Sequence, residues 1–256
     1  MSEPVLVPPG GGEVVGDSLD RRVEILSDHE TLNATWSRFG PHREGADLHV
    51  HREHTDLFYV LAGELTVRLG LVDDAVVVPA GTLVRVPPLV VHGFRNGSDA
   101  EVRYLNFHAP GRRFADFLRA ARDGRSFAYD QHPPPPVGGR PVTEVAIGGS
   151  LATTESDGRL VTLLADVEEI AVAETSWASG SASPAPHARQ EHVVSLYVLE
   201  GELTLVAGGG ERRAEAGTWV QVPPGVPHAL APPAGGDVRL LEIHTPGSGF
   251  GASPTS

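Results

Sequence analysis

The sequence predicts an all-β protein of two tandem β-barrels joined by a short linker helix and an extended segment. Three observations carry that prediction: the chain repeats itself, its apolar runs are short and β-branched, and helical period is confined to one stretch. Leu48–Val67 matches Pro186–Leu205 at an offset of 138 residues. Ala80–His92 matches Ala216–His228, and Tyr104–Gly111 matches Leu240–Gly247, both at an offset of 136. Three collinear blocks with a two-residue change of register are the mark of an internal duplication.

Within the first copy, Leu57–Val67, Val76–Val78, Leu83–Val86 and Val102–Phe107 read as strands separated by Gly, Pro and Asp turns. Such closely spaced short strands suit a barrel or double-sheet sandwich, whose interior can enclose a small ligand. Gly63 and Gly201 each follow a Val-Leu-x run and precede Glu-Leu-Thr, and both read as tight hairpin turns. From Arg112 to Arg125, residues Phe114, Phe117, Leu118 and Ala121 fall at helical spacing, with Gly124 as a stop. Gln131–Pro141, with four consecutive prolines, reads as a semi-rigid linker. The expected units are therefore 17–111 and 142–247, with helix and linker at 112–141, and Gly247–Ser256 reads as a disordered polar tail.

Composition narrows the chemistry. All 20 basic residues among the 256 are arginine, and there is no cysteine. Lysine Schiff bases, a P-loop lysine, thiolate nucleophiles, disulfides and iron–sulfur ligation are excluded. Twelve histidines remain, so a bound metal must take nitrogen and oxygen ligands. A net charge of −13 without a basic stripe argues against nucleic acid and anionic lipid as partners. No basic leader precedes an apolar run near Met1, and no stretch approaches the roughly 20 apolar residues of a membrane span, so a soluble cytoplasmic protein is expected.

His49 and His51 stand two residues apart, Asp56 follows, and His92 comes from a different strand after Pro87-Pro88. Three imidazoles and one carboxylate converging inside a barrel can bind a divalent metal and leave positions open for substrate or water. Glu53 and His54 read as residues of a solvated turn. Asn106 and His108, which recur as Glu242 and His244, are candidates for an acid/base or supporting role. The blander reading of His108 is a repeated strand end before a Pro-Gly turn.

The spacing from Gly45 through His49, His51 and Asp56 to Gly63 resembles the first cupin motif, with a lead-in of three residues in place of five. The spacing Gly81, Pro87, His92 and Asn96 resembles the second. With its second copy the chain resembles a bicupin of the quercetinase-like, jelly-roll kind. Two positions depart from the pattern: Asp56 stands where Glu is usual, one methylene shorter, and Leu89 stands where Gly is usual. In the second copy His187 and His228 match His49 and His92, but Arg189 replaces His51 and Val194 replaces Asp56. A guanidinium cannot ligate a metal and its charge opposes one, so that copy is expected to be metal-free.

The resemblance implies one divalent transition metal (Fe, Mn, Ni, Co or Zn) on His49, His51, Asp56 and His92. It implies a dioxygenase acting on a small enolic or phenolic substrate. The alternatives are a Lewis-acid isomerase, cyclase or lyase on a carbonyl substrate, and a non-enzymatic small-molecule-binding bicupin. Pirin-like bicupins match less well, because they draw the carboxylate from the second motif, where Phe94 stands here. Pairing through sheet edges makes a homodimer a possible assembly.

Overall fold

The computed structural model describes residues 3–71, 74–135, 139–156, 158–181, 183, 185–231 and 236–247. In chain order its first strands are β1 (Val5–Val7), β2 (Glu13–Ser18), β3 (Arg21–Asp28), β4 (Asn33–Phe39), β5 (Thr55–Ala62) and β6 (Glu64–Leu69). β7 (Asp74–Pro79), β8 (Leu83–Val86), β9 (His92–Arg95), β10 (Val102–Ala109), helix α1 (Phe114–Arg122) and β11 (Ala146–Ile147) follow. The second copy supplies β12 (Ala152–Ser156), β13 (Arg159–Asp166), β14 (Ala171–Trp177), β15 (Val193–Glu200) and β16 (Glu202–Ala207). It ends with β17 (Gly210–Glu215), β18 (Trp219–Val222), β19 (His228–Ala231) and β20 (Val238–Thr245).

The chain divides into two compact units, Glu13–Gly149 and Met1–Gly12 with Ser150–Ser256. The first unit has a seven-stranded sheet in the order β11-β8-β5-β10-β4-β3-β2 and a three-stranded sheet in the order β7-β6-β9. The second repeats this plan as β1-β18-β15-β20-β14-β13-β12 and β17-β16-β19. All pairings are antiparallel. Each unit is thus the predicted two-sheet jelly roll.

Gly63 turns out to be a corner and not a hairpin. β5 pairs with β8 and β10, whereas β6 pairs with β7 and β9, so the chain changes sheets at this residue. Gly63 has φ +74°, and a Cβ there would collide with the Glu101 carbonyl oxygen. Gly201 makes the same corner at φ +78° against Asp237.

The apolar side chains of the two sheets meet between them. Phe58, Val60, Leu65, Val67, Val84 and Val86 form the first core. Leu196, Val198, Leu203, Leu205, Val220 and Val222 take the same stations in the second. Burying each such side chain is worth roughly 1.5–3 kcal/mol, so the duplication is kept at the positions that hold a barrel together.

Helix α1 is shorter than the 112–125 stretch suggested. Its buried residues are Ala115, Leu118 and Ala120, with Phe114 and Phe117 packed against the first core, while Ala121 is exposed. Arg119 fastens it by ion pairs to Glu13 on β2 (2.7 Å) and Asp28 on β3 (2.6 Å). Helix and linker both lie within the first compact unit, and β11 joins that unit's sheet through β8. Residues 136–138 of the proline-rich stretch and the tail from 248 onward lie outside the described residues. Among the described residues, no helix is long and apolar enough to cross a membrane.

Candidate metal centre

The four predicted ligands come together at one end of the first core, all buried. Backbone pairing puts them there. His49 and His92 exchange reciprocal N–H···O bonds of 2.8 and 2.9 Å, and the His51 carbonyl accepts from Leu89 N at 2.7 Å. Asp56 sits on β5 between Val86 of β8 and His108 of β10.

Each of the three imidazoles donates its Nδ1–H to a backbone carbonyl: His49 to Asp47 (2.6 Å), His51 to Asp130 (2.5 Å) and His92 to Val90 (2.9 Å). That fixes the tautomer and leaves every Nε2 as a bare lone pair directed inward. His49 Nε2 lies 3.1 Å from His51 Nε2, and His92 Nε2 lies 3.2 Å from Asp56 Oδ2. Acceptors facing acceptors at these distances repel unless a cation sits among them.

A proton on His49 is a poor candidate for that cation. Burial first, then the neighbouring His92 and His51, pushes His49 down to about 3. Burial opposes the charge of Asp56, yet His108, His51 and His92 around it hold its carboxyl well below the usual range. Three imidazole nitrogens and one carboxylate are the donor set of a first-row divalent ion. The shorter Asp56 is accommodated because Asn106 Nδ2 holds Oδ1 at 2.5 Å, turning Oδ2 toward the histidines.

Behind the ligands runs a hydrogen-bonded chain. Asn106 also donates to Leu57 O, and its Oδ1 accepts from His108 Nε2 at 3.0 Å. His108 Nδ1 accepts from the Tyr129 hydroxyl at 2.5 Å, and the same hydroxyl lies 3.0 Å from His54 Nε2. His54 Nδ1 donates to Asp130 Oδ2 at 3.0 Å. Burial, above all, holds His108 well below its ordinary value and lowers His54 to about 3, so both rings are neutral. Phe114 of α1 stacks on His108 with ring centroids 3.8 Å apart.

His54 is therefore not part of a solvated turn. It is 1% exposed, because Asp130 reaches over it and caps the Arg52 and Glu53 amides as well. Glu53 does face solvent and pairs with Arg112. Tyr129 and Asp130 were missing from the sequence-derived set, although the recurrence of His54 as His192 marked the position they cover. The strap carrying them is secured by reciprocal bonds between His132 and Val50. Asn96 of the second motif is structural: its amide donates to the Phe39, Gly40 and Ala100 carbonyls.

Among the described residues, a second converging group consists of His51, His54 and His108, in which the ligand His51 meets two members of that chain. In the second unit His187 and His228 keep the reciprocal bridge of their counterparts, but Val194 is buried in the core in place of Asp56.

No curated protein matches the chain by sequence. Among solved structures, it is similar to a variant of Bacillus subtilis oxalate decarboxylase, with 16% identity, TM-score 0.68, and coverage of 96% of this chain and 78% of the other. An oxalate decarboxylase studied for its substrate binding mode and reaction specificity matches at 17% identity and TM-score 0.67 over the same shares. A third match, at 16% identity, TM-score 0.67 and again the same shares, comes from work on the Mn(II) centres of the Bacillus subtilis enzyme. The cupin domain model matches residues 35–108 and 174–244, one stretch in each unit. This chain belongs to the cupin family, as a bicupin whose first barrel holds a buried histidine and aspartate group suited to a metal ion.

Proposed function

We propose that the first barrel is a metal-dependent enzyme that binds a small anionic substrate through an enolate, phenolate or carboxylate oxygen. We infer that its chemistry is of the Lewis-acid kind, a lyase or isomerase reaction with proton transfer. The observation that carries this reading is the unbroken run Asp56–Asn106–His108–Tyr129–His54–Asp130.

When bound, the metal supplies a Lewis-acid centre of net charge about +1, suited to an anionic oxygen. The protein's own residues do the rest. Asn106 holds Asp56 in place and keeps its Oδ1 occupied. His108, neutral and locked in one tautomer by Asn106, accepts from Tyr129. The Tyr129 hydroxyl lies between two imidazole lone pairs and donates to His108 Nδ1 or His54 Nε2, while burial, which raises its pKa, holds the proton on Oη. Asp130 stabilises the His54 end through Nδ1. Phe114 and the strap over His54 keep water from this run, which strengthens each polar contact in it. Lyase chemistry agrees with the decarboxylase activity named for the neighbours that share the fold.

The dioxygenase expectation is the second reading, because neutral histidines around one carboxylate also suit an enolate oxygen. Oxygen separates the two. Metal-loaded protein should be assayed against diketones, flavonols, keto acids and dicarboxylic acids, with product analysis and an oxygen electrode. Metal-dependent turnover without oxygen uptake, reduced about 100-fold in Tyr129→Phe with metal content retained, is the expected result. Stoichiometric oxygen uptake would assign the dioxygenase. Turnover that persists in a metal-free His49→Ala variant would overturn the metal-dependent reading.

A further inference from the structure

We propose that the first barrel has a second, weaker metal site beside the first, in which a divalent ion of the zinc type is ligated by His54 Nε2, His108 Nδ1 and the Tyr129 hydroxyl oxygen. The three atoms form a closed triangle. His54 Nε2 and His108 Nδ1 are 3.0 Å apart, and Tyr129 Oη lies 3.0 Å from the first and 2.5 Å from the second. Zinc bonds of about 2.0–2.1 Å place neighbouring ligand atoms about 2.9–3.3 Å apart, so two edges already fit and the third has only to open slightly. His51 converges on the same point, but its Nδ1 is held by the Asp130 carbonyl and its Nε2 faces the first site. It is the wall between the two sites and not a ligand of the second.

Neighbouring groups turn both imidazole lone pairs into this triangle. Asn106 spends its amide hydrogens on Asp56 Oδ1 and Leu57 O, so its own Oδ1 takes the Nε2–H of His108 and leaves Nδ1 of that ring bare. His54 gives its Nδ1–H to the Asp130 carboxylate at 3.0 Å, so its Nε2 is bare as well. An imidazole held from behind by a carboxylate or carbonyl, with its other nitrogen free, is oriented as metal-binding histidines are. The Tyr129 hydroxyl has one proton, which cannot serve two facing lone pairs at full strength, whereas an ion satisfies both and the phenolic oxygen has lone pairs to add. The second barrel is an internal comparison. His192 and His244 occupy the matching positions, but their ring centroids are 6.4 Å apart against 4.9 Å for His54 and His108, and His192 Nδ1 lies 2.6 Å from the Pro246 carbonyl oxygen. Among the described residues, no metal-sized group forms there. Convergence in the first barrel thus comes with Tyr129 and Asp130. Lacking a carboxylate ligand, and with a dication on the far side of His51, the second ion should bind at least about 10⁴-fold more weakly than the first.

Counting ions tests the site. Chelator-treated full-length protein, dialysed against buffered zinc from the nanomolar to the upper micromolar range and assayed by elemental analysis, should fill in two steps, to about one and then about two ions per chain. His54→Phe should lose the second step and keep the first. Tyr129→Phe should keep both and move the second to about tenfold or more higher free zinc. A single step in the unmodified chain overturns the assignment, and so does a second step that either variant leaves unchanged, because that ion is then held elsewhere. If His54→Phe fails to fold or loses both steps, Tyr129→Phe, which removes one oxygen, decides the matter. The readout is stoichiometry and not turnover, so it stands apart from the reaction proposed for the first ion.

Discussion

His49 and His51 point bare Nε2 lone pairs at each other across 3.1 Å, each ring pinned from behind by a carbonyl. Such an arrangement has one comfortable state, with a divalent ion among the nitrogens. Protein purified without chelator or affinity nickel should carry about one transition-metal ion per chain, and His49→Ala less than about a tenth of that, by elemental analysis. Metal at a thousandfold excess over its dissociation constant should stabilise the unaltered chain by about 4 kcal/mol, and should leave the thermal midpoint of His49→Ala unchanged.

The same burial sets a pH dependence for the metal-free protein. His49 falls from an ordinary 6.5 to about 3 on folding, through burial and then through His92 and His51. Between those values the unfolded chain takes up a proton that the folded chain refuses, so stability falls as pH drops from about 6.5 toward 3 and is flat above. Asp56, held below the usual carboxylate range, adds a loss of the same sign at the acid end. Urea denaturation in chelator from pH 8 to 4 should show this slope, and His49→Asn should reduce it by up to about 1.4 kcal/mol per pH unit near pH 5.

Asn106 touches the centre only through Asp56, so its loss should act on affinity rather than on fold. Asn106→Ala frees Asp56 Oδ1 and leaves His108 Nε2 without its acceptor. Metal affinity, measured by competition with a chromophoric chelator, should fall about 10- to 100-fold while the circular dichroism spectrum is retained.

Leu89 holds a left-handed backbone at φ +69°, where the second barrel has Gly225 at φ +74°. A left-handed non-glycine residue costs roughly 1–2 kcal/mol, and the extra freedom of glycine in the unfolded chain returns about half of that. The Leu89 side chain is 39% exposed, so little packing is lost with it. Leu89→Gly should therefore raise stability by roughly 0.5–1 kcal/mol, a gain of about 1–4 °C in Tm, with metal content unchanged.

The converging group was legible because its spacing is local: His49 and His51 are neighbours, and the repeat aligned His92 with His228. The repeat and the short branched runs pointed to two barrels or double-sheet sandwiches, and the jelly roll came with the resemblance to the cupin motifs. What escaped was everything that depends on a distant partner. The acceptor for His51 Nδ1 is the Asp130 carbonyl, 79 residues away, and the same residue buries His54. A proline-rich stretch reads as a spacer by composition, and nothing in its own pattern says that Tyr129 and His132 fold back over a barrel mouth. Gly63 read as a hairpin for a related reason, since a tight turn and a sheet-to-sheet corner ask the same backbone of glycine and differ only in which strands pair afterwards.

β1 leaves a practical mark on how the chain can be divided. Val5, Leu6 and Val7 lie in register with Gln221, Val220 and Trp219, so the edge of β18 is sealed by a segment more than 200 residues upstream. A fragment spanning 13–149 keeps every strand of the metal-bearing unit. A fragment starting at 150 uncovers the backbone N–H and C=O groups of β18 and offers them to any passing chain. To study the arginine-bearing barrel in isolation, one would have to graft the opening dozen residues back onto it, or it will find a substitute strand in its neighbours.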